Sequence, residues 1–344
     1  MSSLPRNIIP QNIKKIHLIA VCGTGMGALA CMLKDMGYDV TGSDQKVYPP
    51  MSDFLARKGI SLMEGFKGDN LSHRPDLVIV GNAVSKDNPE AVRMMETGLF
   101  YCSMPQALNR FAAQGKKTLL VTGTHGKTTT SSILAWILYK AGLDPSFMIG
   151  GIVRNFDSNY RIGNGDYFVV EGDEYDTAFF DKDPKFLHFD SSVTVLTSIE
   201  FDHADIFKDL EHVKEAFGSM IGMIAPGNLL MACDGDENID SLLNGRDCLT
   251  ERYGRKENSS WRLGSVEVKP PWTFFDVIKK EEVFGTFKTK LVGEHNLLDA
   301  LSVIAVADHL FVSVDAVSEA LETFEGTKRR QEVRGVKKGI TVMD

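Results

Sequence analysis

The stretch Thr118–Thr130, TLLVTGTHGKTTT, constrains this chain more than any other. An apolar run, Leu119 to Val121, breaks into Gly123, Thr124, His125, Gly126, Lys127 and Thr128. A helical pattern follows directly, with Ile133, Leu134, Ile137 and Leu138 on one face. Strand, glycine turn, Gly-Lys-Thr and helix together make a phosphate-binding loop. The glycines let backbone N–H groups turn inward, and the helix N-terminus adds partial positive charge. In such a loop Lys127 reaches the β- and γ-phosphates of a nucleotide, and the Thr128 hydroxyl faces Mg²⁺. The general pattern has one more glycine, where this chain has Val121. A strand–turn–helix connection whose glycines only relieve strain is the competing reading. The strand, the helix and the run Thr128, Thr129, Thr130 favour nucleotide binding.

Composition narrows the partners. At 344 residues the chain has room for two or three domains, and 43% hydrophobic with 24% charged residues is ordinary for a globular protein. A net charge of −8 argues against a nucleic-acid partner or an anionic membrane surface. The 5 cysteines are scattered without a C-x-x-C pair, which suggests neither a disulfide framework nor a zinc cluster. The start, MSSLPRNIIPQNIKK, has no apolar signal core, and no run of about 18 apolar residues occurs. A cytoplasmic protein is expected.

Upstream, an apolar strand, Ile16–Val21, ends in Cys22-Gly23-Thr24-Gly25-Met26-Gly27-Ala28, and a helix with Met26, Leu29, Ala30, Leu33 and Met36 follows. A second strand ends in Ser43-Asp44. This is a G-x-G-x-x-A turn with an acidic residue about 20 positions on, the Rossmann arrangement. Alone it fits an NAD(P)-dependent oxidoreductase, or glycines kept only for helix–strand packing. Few dehydrogenases, however, need a second phosphate loop further along. The strand Asp76–Val80 runs into Asn82, Ala83, Val84 and Ser85, at the carboxyl end where parallel sheets bind ligands. Asn88 can cap a helix opening at Pro89, with Glu90 suited to its positive end.

Beyond the phosphate loop, the strand Tyr167–Val170 ends in Glu171-Gly172-Asp173-Glu174-Tyr175-Asp176. A carboxylate there is well placed for Mg²⁺, directly or through water. A solvated acidic turn explains Asp173 to Asp176 better than it explains Glu171, which ends a buried strand. The next strand, Val193–Ile199, leads to His203, either a loop histidine or a ligand. Residues 228–290 read as strands, with Phe274, Val277, Val283 and Phe287 alternating in a partly antiparallel edge. Asn296 opens a helix, and Thr327-Lys328-Arg329-Arg330 is a basic cluster.

The segments IHLIAVCGTGMGALACMLKDMGYDVTGSD, GNAVSKDNPE and TGTHGKTTT, in that order, resemble the Mur ligase family, in the branch that starts from UDP-N-acetylmuramate. The resemblance implies an α/β fold: a Rossmann-like domain over 1–113, then a P-loop-type central ATPase domain with a mainly parallel sheet over 114–330. Residues 331–344 would open a linker, the family's third domain being absent. It implies that Gly23, Thr24, Gly25, Met26, Gly27, Asp44 and Asn82 to Ser85 line a UDP-substrate site. ATP would be held by Gly123 to Thr129, with Asn296 on the adenine and Arg330 aimed at the γ-phosphate. Thr128, Glu171 and His203 would hold Mg²⁺, and Lys127, Glu171, His203 and Arg330 would carry catalysis. Two departures are visible: Asp299 stands where the family has a second asparagine, and no lysine after His203 matches the family's carbamylated one.

Glu171–Phe189, followed by SIEFDHADIF, is similar to the sub-branch that joins UDP-N-acetylmuramate to the tripeptide L-Ala-γ-D-Glu-meso-diaminopimelate during peptidoglycan recycling. The expected reaction is ATP-dependent amide formation through an acyl phosphate. The L-alanine-adding ligase is the nearest alternative; an NAD(P) oxidoreductase and a non-catalytic nucleotide-binding module come from other classes. The 344-residue chain is expected to bind UDP-N-acetylmuramate without ligating it.

Overall fold

The strands of the N-terminal part alternate with helices: β1 (Lys15–Ile19), α1 (Thr24–Asp35), β2 (Asp39–Asp44), α2 (Met51–Arg57), β3 (Ser61–Glu64), β4 (Leu77–Val80), α3 (Pro89–Thr97), β5 (Tyr101–Ser103) and α4 (Met104–Leu108). In the computed structural model, which describes residues 6–49, 51–202, 206–328, 333–337 and 340–343, they form a parallel sheet in the order β3-β2-β1-β4-β5. The order reverses between β1 and β4, and ligands of such sheets bind at that switch point, outside the carboxyl ends of the strands. The chain divides into two units, Met1–Gln114 with Tyr175–His188, and Gly115–Glu174 with Phe189–Asp344.

The first unit is pinned by a buried polar network. His17 on β1 and Glu90 at the start of α3 are both fully buried, with Nε2 and Oε2 3.2 Å apart. Ser43 Oγ donates to Glu90 Oε2 at 2.6 Å, and Asn70 Nδ2 donates to Oε1 at 2.6 Å. The other His17 nitrogen lies 2.8 Å from Thr41 Oγ1, which in turn lies 3.2 Å from His73 Nε2. Asn88 caps α3 as expected, its Oδ1 accepting from Glu90 N–H at 2.9 Å. Glu90 stands in the first turn of α3, at the positive helix end as read from the sequence, and it is also a core carboxylate. Burial favours its neutral form, but hydrogen bonds from His17, Ser43 and Asn70 outweigh this and hold the carboxyl below its ordinary range.

The first unit also takes in one segment from later in the chain, Tyr175–His188. That excursion carries two short antiparallel strands, Asp176–Ala178 and Asp181–Pro184. Phe179 and Phe180 at its turn pack on the cluster of Ile19, Val78, Val80 and Tyr101, with the Tyr101 and Phe180 rings 4.9 Å apart.

The second unit opens with the strand β6 (Lys117–Thr122). It is followed by α5 (Lys127–Lys140), β7 (Ser146–Val153), β8 (Ser158–Arg161) and β9 (Tyr167–Gly172). The excursion supplies β10 (Asp176–Ala178) and β11 (Asp181–Pro184), and the unit resumes with β12 (Ser191–Leu196), α6 (Leu210–Met223), β13 (Leu229–Cys233), α7 (Glu237–Leu242) and β14 (Leu249–Gly254). Then come β15 (Trp261–Lys269), β16 (Trp272–Lys279), β17 (Glu282–Thr289), α8 (Glu294–His309) and α9 (Val314–Thr323). Ten strands form one sheet in the order β17-β16-β15-β14-β13-β12-β6-β9-β7-β8. Its centre is parallel, and the expected antiparallel edge is present as β15, β16 and β17. β18 (Val333–Lys337) and β19 (Ile340–Met343) form a two-stranded antiparallel sheet.

The apolar face of α5 packs with α8 in a core that joins Ile133, Leu134 and Ile137 to Leu297, Leu301 and Ile304. Of the four edge residues expected to alternate into the core, Val277 and Phe287 are buried and the other two are not. Phe275 and Val277 are buried, whereas Phe274 is half-buried and Val283 is 67% exposed. Side chains alternate faces along a strand, so Val277 carries Phe275 and not Phe274 with it. A register shift between Val277 and Ile278 then displaces Val283 from the core pattern. Among the described residues, no helix is long and apolar enough to cross a membrane.

Glu90→Ala is expected to destabilise the chain by about 3 kcal/mol, because it leaves the buried partners of the carboxylate unpaired. The folded pKa of Glu90 lies below its ordinary 4.5, so its contribution is present above that pH and lost as pH falls through the folded value. Urea unfolding at pH 7 and pH 3 tests both points: the gap between wild type and variant should narrow at the lower pH.

Candidate functional sites

In the first unit, α1 begins right after the glycine turn and has no acidic residue in its first turn, so an anion finds the positive end of the helix. Gly23 and Thr24 are exposed and Gly25 is half-buried. The Met26 and Val84 side chains belong to the core, at 6% and 3% exposure, so these two can offer a ligand mainly backbone. Gly27 is buried behind them. Asn82, Ala83 and Ser85 are exposed after β4, on the other strand of the switch point. Asp44 Oδ2 accepts from the Cys22 N–H at 2.8 Å, tying the end of β2 to the glycine turn. Burial and the Asp44 carboxylate push the Cys22 thiol up to about 11, which keeps it protonated.

In the second unit the phosphate loop connects β6 to α5. Its shape is set by the segment after β12. Gly123 has φ +129, and a Cβ there would lie 2.2 Å from Thr197 Oγ1. Thr124 N–H donates to the Ser198 carbonyl at 2.9 Å, and His125 N–H donates to Ser198 Oγ at 3.1 Å. Gly126 has φ +82 and sits so close to α8 that a Cβ would come 2.6 Å from Asp299 Oδ1. Asp299 therefore stands beside the loop, at the position where the sequence departs from the family pattern. Asn296, one turn earlier, is buried, its Nδ2 donating to the Val292 carbonyl at 2.7 Å. His125 projects outward, 3.5 Å from Glu200, with both side chains mostly exposed.

Lys127 and Thr128 open α5 and point toward the end of β9. Thr128 Oγ1 donates to Glu171 Oε2 at 3.0 Å, and Gly150 N–H donates to Glu171 Oε1 at 2.7 Å. Burial, and repulsion from Asp173 after it, push the Glu171 carboxyl up to about 7 despite these hydrogen bonds. Lys127 Nζ is 3.0 Å from Glu174 Oε2. Glu174 is 3% exposed, so the expectation of a solvated acidic turn fails at this residue. Its sequence signal was an acid three places after Glu171, which by itself does not separate burial from exposure. Thr129 is half-buried on the first turn of α5.

His203 and Arg330 lie outside the described residues. The chain leading to Arg330 is anchored, with Lys328 N–H donating to the Ile152 carbonyl at 2.9 Å and Thr327 Oγ1 3.3 Å from Ser132 Oγ. Among the described residues, no three His, Cys, Asp or Glu side chains converge as a metal group. Thr128 Oγ1 and Glu171 Oε2 are two oxygen donors that do meet, 3.0 Å apart.

The family profile described as "Mur ligase family, catalytic domain" matches residues 15–116, and the "Mur ligase middle domain" matches residues 121–307. The chain belongs to the Mur ligase family. It is 39% identical over 330 residues to the UDP-N-acetylmuramate–L-alanyl-γ-D-glutamyl-meso-2,6-diaminoheptandioate ligase of Escherichia coli, covering 96% of this chain and 72% of that protein. It is 33% identical to the UDP-N-acetylmuramate–L-alanine ligase of Clostridium tetani, over 96% of this chain and 71% of that one. The crystal structure of the UDP-N-acetylmuramate:L-alanyl-γ-D-glutamyl-meso-diaminopimelate ligase from Neisseria meningitides superposes with a TM-score of 0.87 at 37% identity, covering 92% of this chain and 100% of that one. The Rossmann-like turn of the first unit thus belongs to a ligase family and not to a dehydrogenase.

The raised Glu171 carboxyl has a thermodynamic signature. Between its ordinary 4.5 and about 7 the folded chain holds a proton that the unfolded chain has lost, so ligand-free stability falls as pH rises across that window. Glu171→Gln should remove this fall and leave the variant about 1–2 kcal/mol more stable than wild type at pH 8, after allowing for solvent screening. Urea unfolding at pH 5 and pH 8 without divalent cations checks it; parallel pH profiles would contradict the assignment.

Proposed function

We propose that this Mur ligase joins UDP-N-acetylmuramate to the tripeptide L-Ala-γ-D-Glu-meso-diaminopimelate, using ATP. The reading rests on the convergence of Lys127, Thr128 and Glu171 at adjacent strand and helix ends. The names of the E. coli and Neisseria relatives support the choice of tripeptide over L-alanine.

In this reading the first unit holds the UDP moiety. The amides at the start of α1 meet the diphosphate, with Gly23 to Gly27 beneath it, Asp44 bracing the turn, and Asn82 to Ser85 across the switch point. The second unit holds ATP. Gly123 to Thr129 wrap the phosphates, Lys127 meets the β- and γ-oxygens, Asn296 meets the adenine, and Arg330 faces the γ-phosphate. The hydroxyl of Thr128 and the carboxylate of Glu171 are hard oxygen donors at one point, which suits Mg²⁺, with His203 as a further ligand. A carboxyl whose charge is disfavoured until a cation arrives fits that role. Mg²⁺ held there would neutralise charge on the transferring phosphoryl group.

The substrate's lactyl carboxylate takes the γ-phosphoryl group, giving an acyl phosphate and ADP. The L-alanyl amine of the tripeptide then attacks the acyl carbon, and phosphate leaves as the amide forms. The contribution of these residues is positioning and charge neutralisation by Lys127 and Arg330, not covalent chemistry.

Lys127→Ala should weaken ATP binding at least tenfold while UDP-N-acetylmuramate binding stays within about twofold, because the two sites are assigned to different units. Calorimetry with each ligand measures this; joint loss of both in a folded variant contradicts the division. For the amine, ADP release in the presence of UDP-N-acetylmuramate should be faster with the tripeptide than with L-alanine. The reverse order would move the assignment to the L-alanine-adding branch.

A further inference from the structure

The ammonium of Lys127 has three N–H donors. Three acceptors surround it: Glu174 Oε2 at 3.0 Å, the Gly123 carbonyl at 2.6 Å and the Thr124 carbonyl at 3.4 Å. The Lys127 and Glu174 side chains are 13% and 3% exposed, so water competes little for either. Two of the acceptors belong to the loop backbone, which is braced by the segment after β12. A phosphate oxygen that is to meet Nζ must therefore replace the third, the Glu174 carboxylate.

We propose that Glu174 is a positioning residue that holds Lys127 in the nucleotide-free chain and competes with the phosphates of ATP for it. Nucleotide entry is then an exchange of one anion for another on the same ammonium. The proposal rests on the reading of Lys127 as the phosphate ligand and adds a competitor to it.

Three observations meet here. The start of α5 carries the positive end of the helix and the Lys127 charge in its first turn, an arrangement that is unfavourable without an anion. Glu174 supplies that anion from within the chain. It is also buried, which is costly for a carboxylate unless a cation faces it. Finally, a triphosphate arriving beside an unmoved Glu174 would meet a like charge at close range, so the carboxylate has to turn away. A ligand that brings a single negative charge only breaks even in such an exchange. A triphosphate brings several and prevails, which makes the site selective for highly charged nucleotides.

The test is ATP binding by calorimetry in the presence of Mg²⁺, with the 344-residue chain. Glu174→Gln should bind ATP about tenfold more tightly than wild type, since the competitor is removed but the side-chain shape is kept. Glu174→Asp, which keeps the charge but shortens its reach, should tighten binding by roughly threefold, and it decides the matter if the Gln variant does not fold. In a Lys127→Ala background the Glu174 substitution should leave ATP binding unaltered. A merely structural Glu174 would give weaker binding in both variants. Unchanged or weaker binding, or tightening that persists without Lys127, would overturn the proposal. Wild-type ATP affinity in Lys127→Ala alone would instead overturn the assignment of Lys127, an outcome visible with Glu174 untouched.

Discussion

The narrow clearance between Gly123 and the Thr197–Ser198 segment is the constraint on which the second site depends. With a Cβ at 2.2 Å from Thr197 Oγ1, any other residue would push the loop off β12. Held this close, the loop commits the N–H groups of Thr124 and His125 to Ser198 and turns the first residues of α5 toward the end of β9. Lys127 and Thr128 then face Glu174 and Glu171. The parallel strands β6, β9 and β12 end on the same side of the sheet, so the amides and ammonium at the start of α5 meet the carboxylates that follow β9 there. The overall negative charge of the chain is overcome locally by geometry, not by an excess of basic residues.

Much of this was legible in the sequence. The turns at Gly23–Gly27 and Gly123–Thr128 were readable because a glycine turn between an apolar strand and a helical pattern has few alternatives. The capping of α3 by Asn88 followed from the Asn-Pro-Glu order. The antiparallel edge was visible as alternation, and Val277 and Phe287 are buried as read, but Phe274 was taken in place of Phe275 and Val283 is exposed. Phe274 for Phe275 is the size of error expected where both neighbours are phenylalanine and periodicity alone cannot choose between them.

What escaped was mostly burial of charge. Glu90 and Glu174 sit in stretches that look solvated, and each is buried because a cation-capable side chain far away in sequence faces it: His17 for one, Lys127 for the other. Such pairs leave no local periodic signal. They are visible only once the strand order has placed β1 beside β2 and β4, or β6 beside β9. His17 interrupts an apolar strand that reads well without it, and so drew no notice.

The return of Tyr175–His188 to the first unit has a consequence for how the protein could be taken apart. Neither half is encoded as one uninterrupted segment. A gene fragment ending near Gln114 would omit Phe179 and Phe180, and would expose the apolar surface around Val78, Val80 and Tyr101 that these rings cover. A fragment starting at Gly115 would carry the same two rings with nothing from the first unit to receive them. Shuffling this chain with a relative at that boundary would therefore exchange a sheet but not its cover, so workable chimaeras need both crossings, at the loop before β6 and at either end of the aromatic hairpin, to come from the same parent.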